Sequence, residues 1–437
     1  MFVQKAKSSK RKPNSSRPDK WSRPIQAKVG FEFQSAVWML RKCSAGPPEA
    51  DATEEEQLAS SRYLKGHVLF ENAFWSAQTD VDEDRVPMLE LVTVPFEESP
   101  EGFHYLRNAV RDITAFFDYV FQAPHYVAGD KRIVACEAFS RFGEIKSPEA
   151  CFILPKDNPN PVLFPQATAG IKLNKLNKLL RDISAPLAES GVSSVRKHLG
   201  RVYLFGDPVT GDFNEGAPIN GRYAVYMVDE ALGRVRENWR IELSDAFKGF
   251  LTQVVFYLLE GHRGSKIYAK GFIALLARTD FSRMFSLLPE SEKEFLARNN
   301  AEAWLEIVRM ALPDSQKDFS QPFFADGIFQ DKPEIHRFIL KGLTKEQWLK
   351  EMTRGRDLLT ERNFPNRFRA YELESLGAMG DRTDTVLGEP APVFEFRTGK
   401  KYMNAREAMS YAVETFKTIY ALNRGMDHYF GELLDVL

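Results

Sequence analysis

The chain has 437 residues, a formal net charge of −1, 43% apolar residues and 27% charged residues. That balance excludes a wholly disordered or collagen-like chain and points to two or three folding units, or one large unit with insertions. Clean apolar runs such as 254–259 fall far short of the ~20 residues that span a bilayer, and no apolar segment of signal-peptide type follows the N-terminus.

Cys43, Cys136 and Cys151 have no C-x-x-C spacing, so neither a disulfide framework nor a structural zinc site is expected. The 34 Phe and 14 Tyr residues supply a large aromatic core.

In chain order, residues 1–28 come first, with nine basic side chains against one acid, Asp19. This Ser-, Pro- and Lys-rich stretch has too few aliphatics to offset its ordering entropy and reads as a disordered basic leader. Lys10-Arg11-Lys12 is the kind of run that meets nucleic acid or an address receptor. The acidic excess of the remaining chain, with no zinc finger or recognition-helix pattern, argues against nucleic acid as the main partner.

Residues 29–34 alternate apolar and polar, which predicts a strand with Glu32 and Gln34 opposite Phe31 and Phe33. Residues 45–61 read as an acidic loop and 88–96 as a second strand bearing Glu90. The run 80–84 reads as a solvated acidic loop. Over 103–122 the apolar spacing turns helical through Leu106, Val110, Ile113, Phe117 and Val120.

A strand is expected at 162–173, carrying Gln166 and Thr168, followed by a helix through Leu176, Leu179, Leu180 and Ile183. Residues 206–221, rich in Gly, Asp, Asn and Pro, predict a long loop. Ser244 predicts the N-cap of an apolar helix over 245–260, and a second helix is expected over about 266–277. Ser291 with Glu294, Thr344 with Gln347 and Asn404 with Glu407 have capping-box spacing. Residues 391–397 predict a late strand with Glu395 and Arg397 on one face, before a final helix through Met409, Val413, Phe416 and Ile419.

Strands scattered between long helices without regular βαβ alternation predict an α+β fold with a mostly antiparallel, curved sheet. The expected division is a leader at 1–28, the first part of an α+β domain at 29–290, a helical insertion or lid at 291–380, and a completing strand and helix at 381–437.

No phosphate-binding glycine loop, dinucleotide fingerprint, serine-hydrolase elbow or H-E-x-x-H is present. The seven His residues are isolated from one another. What remains is a set of oxygen-bearing side chains inside apolar strands: Glu32, Gln34, Glu90, Gln166, Thr168 and Glu395, with Arg397 beside them. A carboxylate in a strand is costly unless it meets solvent, a cation or a partner, so these positions predict one polar sheet surface. Such donors suit magnesium or manganese, which in turn hold phosphates.

The run Gly30-Phe31-Glu32-Phe33-Gln34, followed by Glu90-Leu91-Val92-Thr93-Val94-Pro95 and by Glu395-Phe396-Arg397, resembles the glutamine-synthetase-like carboxylate–amine ligases, the bacterial amidoligase group in particular. The resemblance implies Glu32, Glu90 and Glu395 as ligands of Mg2+ or Mn2+, and Gln34, Gln166 and Thr168 at cofactor-binding positions. It implies Arg397 as a contact to phosphate or substrate carboxylate, with Arg278 as a further anion-binding side chain.

The implied reaction is ATP-dependent carbon–nitrogen bond formation between a small-molecule or protein carboxylate and an amine. Gln34, and Gln166-Ala167-Thr168 in place of the family's His-x-His, are neutral donors. A catalytically degenerate domain acting as a binding or structural cargo protein is therefore the alternative.

The junction Pro24-Ile25-Gln26 before Val29 resembles that of polymorphic-toxin and contractile-injection-system cargo. That implies a bacterial effector, made in the cytoplasm and exported without a signal peptide into a target cell, with residues 1–28 serving particle loading.

Overall fold

The computed structural model describes residues 27–42, 65–81, 87–156, 161–184, 216–262, 275–321, 344–356, 358, 382–397 and 403–426. The leader (1–26), the acidic loop at 45–61 and the stretches 206–215 and 266–274 lie outside the described residues.

The elements run β1 (Lys28–Lys42), β2 (Val68–Glu71), β3 (Trp75–Val81), β4 (Pro87–Thr93), β5 (Phe96–Glu97), α1 (Pro100–Val120), β6 (Tyr126–Ala128), β7 (Lys131–Ala135), β8 (Glu144–Ile145), β9 (Ala150–Pro155) and β10 (Leu163–Gly170). They continue with α2 (Leu173–Ser184), α3 (Gly216–Trp239), α4 (Asp245–His262), β11 (Leu275–Ala277), α5 (Phe281–Ser286), α6 (Glu290–Met310), α7 (Lys345–Thr353), β12 (Thr383–Val386), β13 (Glu389–Arg397) and α8 (Ala405–Arg424).

The fold is α+β, as expected. The main path across the sheet is β11-β13-β10-β1-β4-β3-β2-β8, with β12 on β13, β5 and β9 on β1, and β7 then β6 beyond β9. All these pairings are antiparallel.

β1 organises the sheet. Its first half lies between β10 and β4, with Glu32 opposite Gln166 on one side and Val92 on the other. The register then shifts between Gln34 and Met39, and the second half pairs with β9 through Met39 to Lys42. An irregularity of this kind bends a strand and raises its twist, which lets one 15-residue strand serve two neighbourhoods of a curved sheet.

One face of the sheet is dry. Val29, Phe31 and Phe33 are almost wholly buried, and α1 and α8 supply the helical cover, Phe103 of α1 meeting Phe416 of α8 at 5.6 Å between ring centroids. Trp38 packs edge-on against Phe117 at 5.3 Å, and Phe116 lies 5.0 Å from Phe139.

α1 starts where its sequence says it should. Pro100 opens the first turn and the Ser99 hydroxyl accepts from the Gly102 N–H at 3.0 Å. Gly102 is required there, because a Cβ would sit 2.0 Å from the Glu97 carbonyl oxygen. The boxes at Thr344–Gln347 and Asn404–Glu407 are both formed. Ser244 Oγ accepts from the Phe247 N–H at 3.2 Å while Glu292 holds the Ser244 hydroxyl at 3.0 Å. α4 is buried nearly all round, from Phe247 to Leu259, as a helix apolar on every side must be.

Several expectations are corrected. Leu275–Ala277, assigned to a helix, forms β11 against β13, because a three-residue apolar run has no period of its own and pairing decides its state. α3 begins at Gly216, so the last third of the loop expected over 206–221 is helical. α6 begins at Glu290 behind Pro289, and no Ser291 cap forms; the Pro289 carbonyl accepts from the Glu292 and Lys293 N–H groups instead. Asp80 is a buried residue of β3, not part of a solvated loop. Cys151 is disulfide-bonded while Cys136 is a buried free thiol. Linear spacing excludes a C-x-x-C motif but not a bridge between cysteines far apart in the chain.

Candidate functional site

The other face of the sheet carries the polar side chains. Paired residues of antiparallel strands share a face, so the register arranges them in rows. In the central row Glu32 is flanked by Gln166 and Val92, with Arg397 beyond Gln166 and Ser76 beyond Val92. One row along, Gln34 lies opposite Glu90, and Glu90 opposite Gln78. On the other side, Gly30 faces Thr168, Thr168 faces Glu395, and Glu395 faces Leu276. Five strands thus bring every candidate from the sequence onto or beside one surface: Glu32, Gln34, Glu90, Gln166, Thr168 and Glu395 within it, Arg397 by its backbone register, and Arg278 just after β11. The Arg397 side chain lies outside the described residues.

The surface has two halves. The acidic half is built by β1, β4 and β3. Glu90 is only 6% exposed and its Oε2 accepts from Gln78 Nε2 at 2.9 Å. Burial, then the charges of Glu32 and Asp80, push its carboxyl up to about 7 against the opposing pull of Gln78 and Lys65. Asp80 receives the Lys65 ammonium at 2.6 Å. Asp80, Gln78 and Lys65 were missed at the level of sequence. Gln78 and Asp80 do alternate along β3, but the adjoining acids at 82–84 hid that period.

The arginine half is built by β11 and β13. The Arg278 guanidinium grips Glu395 Oε2 through Nε and Nη2, and Glu395 is 1% exposed. The arginine is held from behind: its N–H donates to the Val393 carbonyl at 2.8 Å, and the Thr279 hydroxyl accepts from the Val393 N–H at 2.8 Å. Thr279 donates in turn to the Arg382 carbonyl, which joins the segment after β11 to the approach to β12.

Glu395 therefore belongs with Arg278, two strands across and two residues along from Glu32, ~12 Å by sheet geometry. Among the described residues no group of three or more His, Cys, Asp or Glu has the spacing to hold a metal ion. The acidic half nevertheless fits a hard cation that arrives with phosphates. Mg2+ of that kind keeps its waters and needs only one or two protein carboxylates, and Glu32 with Glu90 supplies oxygen donors whose mutual repulsion a cation would relieve. Gln34, Gln166 and Thr168 lie beside them as neutral donors.

Fold and surface together define an α+β protein whose open antiparallel sheet bears an acidic group and an Arg278–Glu395 pair on one face. No protein-family model matches the chain, and no curated protein matches it significantly. Two solved structures align with it. One is a Vibrio cholerae toxin of the MARTX/VgrG family, 13% identical over 89% of this chain and 96% of that one, with a TM-score of 0.35. The other is the ACD domain of a VgrG Vibrio cholerae toxin, a point mutant in complex with ADP and Mn2+, 11% identical over 85% of this chain and 94% of that one, with a TM-score of 0.31. At these scores neither alignment bears on what this chain does. Among the described residues no helix is long and apolar enough to cross a membrane.

Proposed function

We propose that the polar sheet face binds ATP with Mg2+ or Mn2+ and joins a carboxylate to an amine, the chemistry implied by the resemblance to glutamine-synthetase-like ligases. The observation that carries this reading is the division of one sheet face into an acidic half and an arginine half. Two anions, a polyphosphate and a carboxylate, must meet for such a reaction, and their repulsion has to be neutralised from both sides.

Glu32 and Glu90 would hold the cation. Bound there, it would polarise a phosphoryl oxygen and neutralise charge. Arg278, oriented by Glu395 and by its hydrogen bond to β13, would set a fixed positive charge where a phosphate or substrate carboxylate lies. Arg397, placed by register beside Gln166, would extend that cationic rim. Gln34, Gln166 and Thr168 would add hydrogen bonds that orient the ligand without changing net charge. In this reading the protein is an effector delivered from bacteria, with the basic leader serving to load it.

Calorimetric titration with Mg-ATP is the direct test. Wild-type protein should bind, and Glu32→Ala should weaken binding at least tenfold with an unchanged thermal melt. A folded wild type that binds neither nucleotide nor metal would end the ligase reading. It would favour the second one, a degenerate domain serving as binding or structural cargo. Lys65, already seated against the acidic half, and the neutral Gln34 and Gln166 support that alternative.

A further inference from the structure

Lys65 reaches the acidic half through a built connection rather than as a stray surface lysine. The Gly66 N–H donates to the Thr79 carbonyl at 2.7 Å and the Thr79 N–H donates to the His67 carbonyl at 3.0 Å. The His67 N–H donates to the Thr79 hydroxyl at 3.1 Å. These bonds pin the turn before β2 onto β3, one residue from Asp80. Gly66 takes φ +78° there, a conformation that suits glycine. The Lys65 side chain remains 61% exposed along its length, yet its ammonium meets an Asp80 side chain that is 9% exposed. The carboxylates of Glu90 and Glu32 act on the same ammonium.

Resting on the proposed function, we infer that Lys65 is a tethered counter-cation that occupies the metal-binding half of the site, and that a divalent ion enters by displacing it. The physical basis is competition. The Asp80, Glu90 and Glu32 carboxylates attract positive charge, and the Lys65 ammonium pairs with Asp80 within the field of the other two. Because its stem is exposed, the ammonium can swing into water with little loss of packing, whereas Asp80 and Glu90 cannot leave the strands that bury them.

The test is Mn2+ binding to the full chain, followed by the electron paramagnetic resonance signal of free Mn2+, with and without ATP, at low ionic strength. Lys65→Met should bind Mn2+ about tenfold more tightly than wild type, the scale set by removing one unit charge a few ångströms from a divalent ion near water. Lys65→Arg, which keeps the charge, should match wild type. Equal affinity in Lys65→Met and wild type overturns the counter-cation role while leaving the proposed function standing. Weaker binding in Lys65→Met, seen only with ATP present, overturns it in favour of a phosphate-clamping lysine. Absence of Mn2+ binding in all three proteins, each with an unchanged thermal melt, overturns this inference together with the metal-using reading beneath it.

Discussion

Phe31 and Phe33 on one side of β1, and Glu32 and Gln34 on the other, are consecutive in the chain and occupy opposite environments. The aromatic pair is buried, with rings 6.4 Å apart. The polar pair stays partly exposed in the middle of a surface that continues over β10, β13 and β4. A strand alternates its side chains with period two, so the residues that anchor the sheet also set the orientation of those that face a ligand. A one-residue slip of β1 would bury the acids and expose the aromatics, and the dry face therefore protects the register on which the polar face depends.

That division can be broken most forcefully from the dry side. Phe33→Ala should cost about 3–5 kcal/mol of stability, as for other large core deletions, whereas Gln34→Ala should cost less than ~1 kcal/mol. Urea melts of the two variants measure the contrast, and similar losses would mean that the two faces are not distinct environments.

A smaller effect sharpens the acidic half. The Glu90 carboxyl is raised from its ordinary value of 4.5 to about 7, so the folded protein holds this proton where the unfolded chain has lost it. Its contribution is complete below the unfolded value and disappears as pH rises through the folded one. Without divalent ions, stability should decline between about pH 4.5 and 7, by up to about 3 kcal/mol for a shift of this size. Glu90→Gln, which stays neutral throughout, should flatten that part of the profile. An unchanged decline in the variant would assign the effect to another group.

The smallest expected change lies away from both faces. Asn404→Ala removes the side chain that accepts from the Glu407 N–H at 2.9 Å and should cost about 1 kcal/mol through the start of α8. Thermal melts at equal protein concentration would show it, and a loss as large as that of Phe33→Ala would mean that the docking of α8 depends on its first turn.

Much of the scaffold was written in local patterns. The alternation at 29–34, the helical spacing of α1, and the reciprocal caps at Thr344 and Asn404 each concern residues a few positions apart, where backbone geometry and side-chain chemistry act without help from the rest of the chain. The polar character of Glu32, Glu90, Gln166 and Glu395 was equally visible, because an oxygen-bearing side chain in an apolar strand stands out wherever the strand lies.

The tertiary structure alone decided how those groups are shared out. Strand order put β10 between β1 and β13, which separated Glu395 from Glu32 and gave it to Arg278 as a partner. The pairing of β3 with β4 brought Gln78 and Asp80 to Glu90, and the turn before β2 brought Lys65 to Asp80. The same dependence on pairing turned Leu275–Ala277 into a strand. Electrostatic and hydrogen-bond partners depend on distances of a few ångströms between segments tens to hundreds of residues apart, and no local period in a sequence encodes those distances.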